Sequence, residues 1–261
     1  MLSLSAANFY PAINQGIWPL FRVLALFSTA PVFSEKSINK KVKISLAVLL
    51  TVLIAPMLPV PDIHLFSLDG VLLAVQQIII GCVMGLTAQF IFVAVKNAGE
   101  IIGLQMGLSF ATFFDPVSGG NMPIIARFLN LLAVLLFLAF NGHLWMINVL
   151  VDSFNTFPVN GTMLNPEGFL YFAKSADLIF KFGILLGLPI ITLLLCINFT
   201  LGLLNRLTPQ LSIFVIGFPL TLTVGMLALS LIMYTLAPSF ESMMAMMFEL
   251  ISQLFSVLAG A

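Results

Sequence analysis

Apolar residues run along this chain in long blocks separated by short polar or proline-rich breaks, and a membrane-spanning helix needs about 20 mostly apolar residues. The first block extends from Ala12 to Thr29, with Pro19 and Arg22 inside it. Ile44 to Leu58 follows, short, and ends in the proline-rich stretch Pro56-Met-Leu-Pro-Val-Pro61. Val71 to Val95 carries no charged residue at all. Ile101 to Phe114 is too short to span and is expected to stop at Asp115-Pro116, because a proline disfavours helix in the residue before it. Phe128–Val151, Phe182–Leu204 and Leu211–Ala237 are each long enough to cross, and a Met-rich block, Ser242–Leu258, follows Pro238 and Glu241. The pattern predicts an all-α, polytopic membrane protein with about six long helices plus one broken or re-entrant segment.

Composition supports that class. The chain is 61% hydrophobic and only 8% charged, against about 45–50% and about 25% in soluble domains. So few charges cannot coat a water-exposed surface. The net charge of zero leaves no basic face for nucleic acid. No basic stretch precedes the first block, so it reads as a retained segment and not a cleaved signal. Lysines and arginines set orientation. Lys36, Lys40, Lys41 and Lys43 place the loop after the first block in the cytoplasm, which puts the N-terminus and Asp62 and Asp69 outside. Lys96, Arg127 and Arg206 then fall inside and the Asp152–Tyr171 loop outside. Lys174 and Lys181 break the rule, but each stands at helical spacing from Asp177 and is expected to pair with it.

The short segment is the most informative. Gly99, Gly103, Gly107 and Ala111 recur every four residues, laying small residues along one helix face that allows close approach to a neighbouring helix. Phe110, Phe113 and Phe114 follow, then Asp115-Pro116 and the turn-forming Gly119-Gly120-Asn121. Irregular backbone at membrane depth survives only inside protein or beside a water-filled cavity. Two readings stand for this stretch: a loop entering a central cavity, or a cytoplasmic link between two helices.

Catalytic chemistry finds little support. Gly107-Leu-Ser109-Phe110 resembles the glycine-flanked serine of intramembrane proteases only by losing the second glycine. The chain has two histidines, His64 and His143, and His143, beside Asn141, is expected to serve as a hydrogen-bonding packing residue. No HExxH, phosphate-binding or nucleotide motif appears, so neither a metal nor a cofactor is expected, and the chain is not read as an enzyme. A secondary transporter is the rival reading, since Pro19, Pro189 and Pro219 could break helices and Arg22 is an ionisable residue inside a span. No acidic residue falls inside the six spans, however, so ion coupling lacks its usual ligand. Arg22 is instead expected to snorkel or to pair at an interface. Cys82 and Cys196 sit in apolar runs and read as buried small hydrophobes. Gly81-Cys-Val-Met-Gly85 and Gly183-Ile-Leu-Leu-Gly187 are further small-residue pairs suited to helix packing. The amides Gln76, Gln77, Gln89, Asn130, Asn141, Asn148 and Asn198 need partners that broken helices of one chain supply poorly, which favours a subunit of a larger membrane complex. The Met243-Met-Ala-Met-Met247 cluster fits adaptable packing in a core.

Three stretches together resemble the FliR family of flagellar export-gate proteins, related to the T-type export-apparatus subunits of virulence injectisomes. They are Pro19-Leu-Phe-Arg22-Val…Pro31, Gly103-Leu-Gln-Met-Gly-Leu-Ser-Phe-Ala…Asp115-Pro, and Asn205-Arg206-Leu-Thr-Pro209-Gln210-Leu-Ser-Ile-Phe…Gly217-Phe-Pro219. The resemblance covers nearly the whole chain. It implies a single R-type chain completing a pore with P-type and Q-type subunits in the bacterial inner membrane, within the flagellar basal body. It further implies a P-type-like region over 1–181 and a Q-type-like hairpin with a C-terminal apolar helix over 182–261, the hairpin turning at Arg206–Gln210. Some of the six crossings would then lie above the bilayer plane.

The family's pore plug maps onto 106–122, where the resemblance assigns Met106, Gly107, Phe110, Phe113, Phe114, Asp115, Pro116, Gly119 and Gly120. Gly99, Gly103, Ala111, Arg206, Pro209, Gln210, Gly217 and Pro219 are assigned to helix packing and assembly. Implied partners are the P-type and Q-type subunits, the switch protein of FlhB type, the export-ring protein of FlhA type, unfolded flagellar substrates in transit and membrane lipid. An injectisome subunit of the same type is the nearest alternative.

Overall fold

The computed structural model describes residues 6–35, 38–59, 63, 67–108, 123–159, 164–208 and 213–260, the side chains of 6–13 and 213–215 excepted. Among these residues every regular element is a helix. The elements are α1 (Ala6–Thr29), α2 (Lys40–Ile54) running into a 3-10 turn at Ala55–Met57, α3 (Leu68–Gln105), α4 (Ile124–Ala139), α5 (Gly142–Thr156), α6 (Pro166–Ser175), α7 (Asp177–Leu207) and α8 (Ile213–Ala259). Three stretches of helix are long and apolar enough to cross a bilayer: Leu68–Gln105, Pro166–Leu207 and Ile216–Ala259. Helices α4 and α5 together would make a fourth.

The helices differ from the expected blocks in four places. Helix α3 continues through Lys96 and Glu100, which face outward and stand 4.0 Å apart at i,i+4 spacing. It then stops at Gln105, well before Asp115-Pro116. The run Phe128–Val151 is broken at Asn141, whose φ of 57° is left-handed. Asparagine tolerates that conformation better than most residues. Helix α8, conversely, runs straight through Pro219 and Pro238. A proline removes one backbone bond, and surrounding helices can absorb that loss in apolar surroundings. The expected Lys174–Asp177 and Lys181–Asp177 pairs are not among the ion pairs of the described residues. Helix α6 ends at Ser175, so Lys174 lies in its last turn and Asp177 in the first turn of α7. Each charge thus faces the helix end that its sign favours.

The chain forms two compact units. The first comprises Met1–Gln89, Asn141–Ala176 and Met247–Ala261. In it α1 lies along the N-terminal half of α3 in the same direction, Arg22 meeting Gln77, and Ala25 and Thr29 meeting Gly81 and Gly85. The two glycines are required there: a Cβ on Gly81 would overlap Arg22 O, and one on Gly85 would stand 2.8 Å from Ala30 N. The C-terminal end of α8 packs on α5 and α6, with Phe255 edge-on to Phe157 at 5.4 Å and Tyr171 Oη donating to Gln253 Oε1 at 2.7 Å. Asn165 caps α6 by accepting from Glu167 N at 3.0 Å, ahead of Pro166 at the first helical position.

Arg22 does not snorkel. It is fully buried in this unit. Its Nε donates to Gln77 Oε1 at 2.8 Å, one terminal nitrogen to Ser153 Oγ at 2.9 Å and the other to Phe157 O at 2.8 Å. Its guanidinium lies 4.0 Å from the centre of the Phe154 ring. Among the described residues no carboxylate pairs with it. The charge is met by an aromatic face, an amide oxygen and the carbonyl end of α5, where the helix dipole is negative. Gln77 Nε2 and His143 Nδ1 are buried without a hydrogen-bond partner among the described residues, so His143 does not make the expected bond through that nitrogen. Of the seven amides singled out in the sequence, only Gln77 is fully buried. The cysteines also differ from expectation: Cys82 is half-buried and Cys196 exposed. An apolar run places a residue in an apolar environment, but in a membrane that environment can be lipid or a partner.

The second unit comprises Phe90–Phe140 and Asp177–Met246. It is built around the C-terminal half of α3. Helix α4 runs antiparallel to α3, with Gly99 against Ala126, Gly103 against Pro123 and Phe92 edge-on to Phe137 at 5.5 Å. Helix α7 runs parallel, Gly183 lying against Ala94 and Asn97, and Asn198 reaching Gln105. Helix α8 runs antiparallel, Phe218 near Gly107, Gly225 at Met106 and Phe240 at Phe92.

Candidate functional site at the end of helix α3

The small-residue face of α3 brings α4 into near backbone contact. A Cβ on Gly99 would stand 2.5 Å from Ala126 Cα, and one on Gly103 would stand 3.1 Å from Pro123 Cβ. The third glycine of that face has a different task. Gly107 takes φ of +79°, a left-handed value that glycine adopts without strain. Leu108 N then donates to Gly103 O and Gly107 N to Leu104 O, both at 3.0 Å. This 6→1 and 5→2 pair is the Schellman arrangement that ends a helix and satisfies its last carbonyls.

The carbonyls of Gln105 and Met106 are approached by side chains of other helices. The Asn198 side-chain amide of α7 donates to Gln105 O at 3.2 Å and to Gln105 Oε1 at 3.1 Å. The Thr221 hydroxyl of α8 lies 3.4 Å from Met106 O and 3.2 Å from Phe218 O. With Met106 N donating to Ile102 O at 3.0 Å, every carbonyl from Ile102 to Gln105 has a donor, and the single Thr221 hydrogen serves either Phe218 O, the nearer, or Met106 O. The Met106 side chain is fully buried over Gly225, where a Cβ would come within 2.7 Å of Met106 Cγ. Beside it lies an apolar cavity of about 530 Å³, walled by the end of α3, by Ile124, Ile125 and Phe128 of α4, and by α8 from Leu222 to Met233. Ser230 is the one polar residue on that wall among the described residues. Leu108 and Ile124, standing on either side of residues 109–123, both line it.

Of the residues the sequence singled out, Met106, Gly107, Gly99 and Gly103 therefore lie together at this helix end. Gly217 is buried on α8, Pro219 lies within α8, and Arg206 is exposed in the last turn of α7. Phe110, Ala111, Phe113, Phe114, Asp115, Pro116, Gly119, Gly120, Pro209 and Gln210 lie outside the described residues, as do His64 and Ser109. The sequence reading passed over Thr221, Gly225 and Gln105. A signal was available: Gly217, Thr221 and Gly225 recur every four residues, the counterpart on α8 of the small-residue face on α3. Asn198 was noted as an amide needing a partner, but nothing in the sequence pointed to Gln105.

A set of helices long and apolar enough to cross a bilayer defines a polytopic membrane protein. Residues 13–247 match the family described as bacterial export proteins, family 1. The flagellar biosynthetic protein FliR of Escherichia coli (strain K12) is 54% identical over 258 residues, 99% of each chain. That of Pectobacterium carotovorum subsp. carotovorum is 51% identical over 261 residues, the full length of both. That of Bacillus subtilis (strain 168) is 30% identical over 228 residues, 86% of this chain and 87% of the relative. The chain belongs to the FliR family of bacterial export proteins. It is a membrane-embedded flagellar export protein, a structural component of the apparatus and not an enzyme.

Proposed function

We propose that this chain is the R-type subunit of the flagellar type III export gate in the bacterial inner membrane, one copy completing a pore with P-type and Q-type subunits. Residues 106–122 are its plug. On this reading Phe110, Phe113 and Phe114 form a hydrophobic constriction against partner subunits that stops water and ions. Gly107, Gly119 and Gly120 let the segment swing aside for an unfolded export substrate. Energy comes from the proton-motive force and a separate ATPase. Residues 1–181 act as the P-type-like part and 182–261 as the Q-type-like part, with the N-terminus periplasmic. Gly99, Gly103, Ala111, Gly217 and Pro219 serve helix packing. Arg206, Pro209 and Gln210 contact subunits or the FlhB-type switch protein, and an FlhA-type ring stands at the entrance.

The observation that carries the reading is the helix stop at Gly107. The chain leaves α3 by a left-handed glycine beside a buried Met106 and an apolar cavity, at the position where the family resemblance starts the plug. The flagellar names of the relatives favour the flagellar apparatus over the injectisome alternative.

Two experiments test this. Native mass spectrometry of the tagged chain from its own host is expected to find one copy with several copies of two small membrane proteins, and a lone monomer or homodimer would sink the reading. Replacing Phe110, Phe113 and Phe114 together by alanine is expected to raise resting ion flux through the assembled complex by tenfold or more. Unchanged conductance would remove the plug role.

A further inference from the structure

Helix α2 has 15 residues, about 22 Å at the helical rise, and so falls short of the roughly 30 Å hydrocarbon core of a bilayer. Its two ends are unlike. Lys40, Lys41 and Lys43 stand in its first turn, and no charged residue follows from Ile44 to Ile54. Asn39 fixes the start of the helix by accepting from Lys41 N at 3.0 Å. Lys43 is engaged, its Nζ donating to Glu35 O at 2.9 Å. Lys40 and Lys41 are exposed and form no ion pair among the described residues, and neither does Glu35. Three lysines against one carboxylate leave this end two positive charges in excess. They also stand at the positive end of the helix dipole, which repels them. An anion is what this end lacks.

The apolar part continues from the lysines on one face. Ala47, Thr51 and Ile54 are buried, whereas Lys41, Ile44, Val48 and Val52 are all exposed and follow at intervals of three, four and four. That spacing keeps them on one face of the helix, and Lys40 stands four positions before Ile44 on its edge. We propose that this face binds one anionic phospholipid: Lys40 and Lys41 hold the headgroup phosphate, and an acyl chain lies along Ile44, Val48 and Val52. Charge and length together select this occupant. Lysines beside a membrane attract anionic headgroups. A helix too short to span, charged at one end only, keeps that end at the headgroups of one leaflet and its apolar row among the acyl chains. The far end of α2 is held by protein instead, Gln15 Nε2 of α1 donating to Leu58 O at 2.9 Å. The bound lipid thus pins the α1–α2 pair to one leaflet, and this holds whether or not the chain carries a plug.

The test uses the full chain purified in mild detergent and titrated with phosphatidylglycerol, native mass spectrometry counting the lipid retained. Phosphatidylcholine is the zwitterionic control. The parent is expected to keep one phosphatidylglycerol at concentrations that leave phosphatidylcholine unbound. Lys40→Gln with Lys41→Gln is expected to weaken that binding by roughly tenfold, since each lysine near an anionic surface contributes several-fold. Lys40→Arg with Lys41→Arg, which keeps the charge, is expected to retain it. Val48→Ser is expected to weaken it several-fold, an effect that a bare phosphate site would not show. Equal retention of the two lipids, or parental binding in the double glutamine variant, would overturn the proposal. Binding lost equally in the arginine and glutamine pairs would overturn it too, since charge would then not be its cause. Inorganic phosphate that competes as well as the lipid does would remove the acyl contact and with it the lipid as occupant.

Discussion

At the scale of single residues, the burial of Arg22 is the costliest feature of the fold. A guanidinium taken out of water without a carboxylate loses several kcal/mol of hydration. Here the loss is offset by three hydrogen bonds, the Phe154 face and the carbonyl end of α5. The planar fork reaches Gln77, Ser153 and Phe157 at once, and they lie on α3, on α5 and just past the end of α5. A lysine ammonium keeps the charge but is a single point that cannot span the same acceptors. Arg22→Lys is therefore expected to leave at least one buried acceptor unpaired and to cost about 1.5–3 kcal/mol. The purified chain should show this as a lower thermal unfolding midpoint, and a midpoint equal to the parent would mean that charge alone, not the fork, holds these helices. The hydropathy of the sequence marked Arg22 as an anomaly but could not say whether lipid, water or protein would receive it. That depends on Gln77 and Ser153, 55 and 131 residues away.

At the scale of elements, glycines divide into those that a neighbour requires and those that none does. Gly99 faces the backbone of Ala126 at 2.5 Å for a Cβ, whereas Gly202, inside α7, would place a Cβ in open space. Gly99→Ala is expected to push α4 from α3 and cost about 1–3 kcal/mol, as overpacking does. Gly202→Ala is expected to be neutral or to gain up to about 1 kcal/mol from helix propensity. Unfolding of the two variants under identical detergent conditions gives the comparison, and equal effects would refute the close α3–α4 contact. The every-fourth-residue spacing that exposes Gly99 and Gly103 was legible in the sequence, as were the helical class and most of the long apolar runs. The ends of the helices were not. Hydropathy sees no boundary at Asn141 because the residues around it are apolar, and the break is made by one left-handed φ. It sees a boundary at Pro238, where none occurs, because a proline costs one backbone bond and α8 continues past it to Ala259. Lys96 and Glu100 mimic a helix end for the same reason: charge marks contact with a polar environment, not the end of a hydrogen-bond ladder. Of the candidate site, Gly107 could be read ahead as a flexible point. The contacts of Asn198 with Gln105 and of Thr221 with Met106 could not, because they join residues 93 and 115 positions apart.

At the scale of the whole molecule, the described surface carries far more exposed apolar side chains than a water-soluble protein tolerates, and lipid or partner chains must cover them. On α7 five residues form one exposed row that tests which of the two covers it. Leu185, Leu188, Thr192, Leu195 and Phe199 are all exposed and follow one another at alternating intervals of three and four. That is the spacing of one helix face, long enough for a partner helix to pack along it lengthwise. Phe199 is 70% exposed at the C-terminal end of that row. Cys196, exposed and next to Leu195, flanks it and offers a native reporter. In a Cys82→Ser background, a lipid-soluble maleimide is expected to label Cys196 readily when the chain is made without its partners. In the assembled export complex the labelling should be slower by tenfold or more. Equal labelling in both states would show that bilayer lipid, and not a partner helix, covers this face. The site of subunit contact would then have to be sought on α2, whose exposed Val42, Leu46, Leu49 and Leu53 follow one another at intervals of four, three and four.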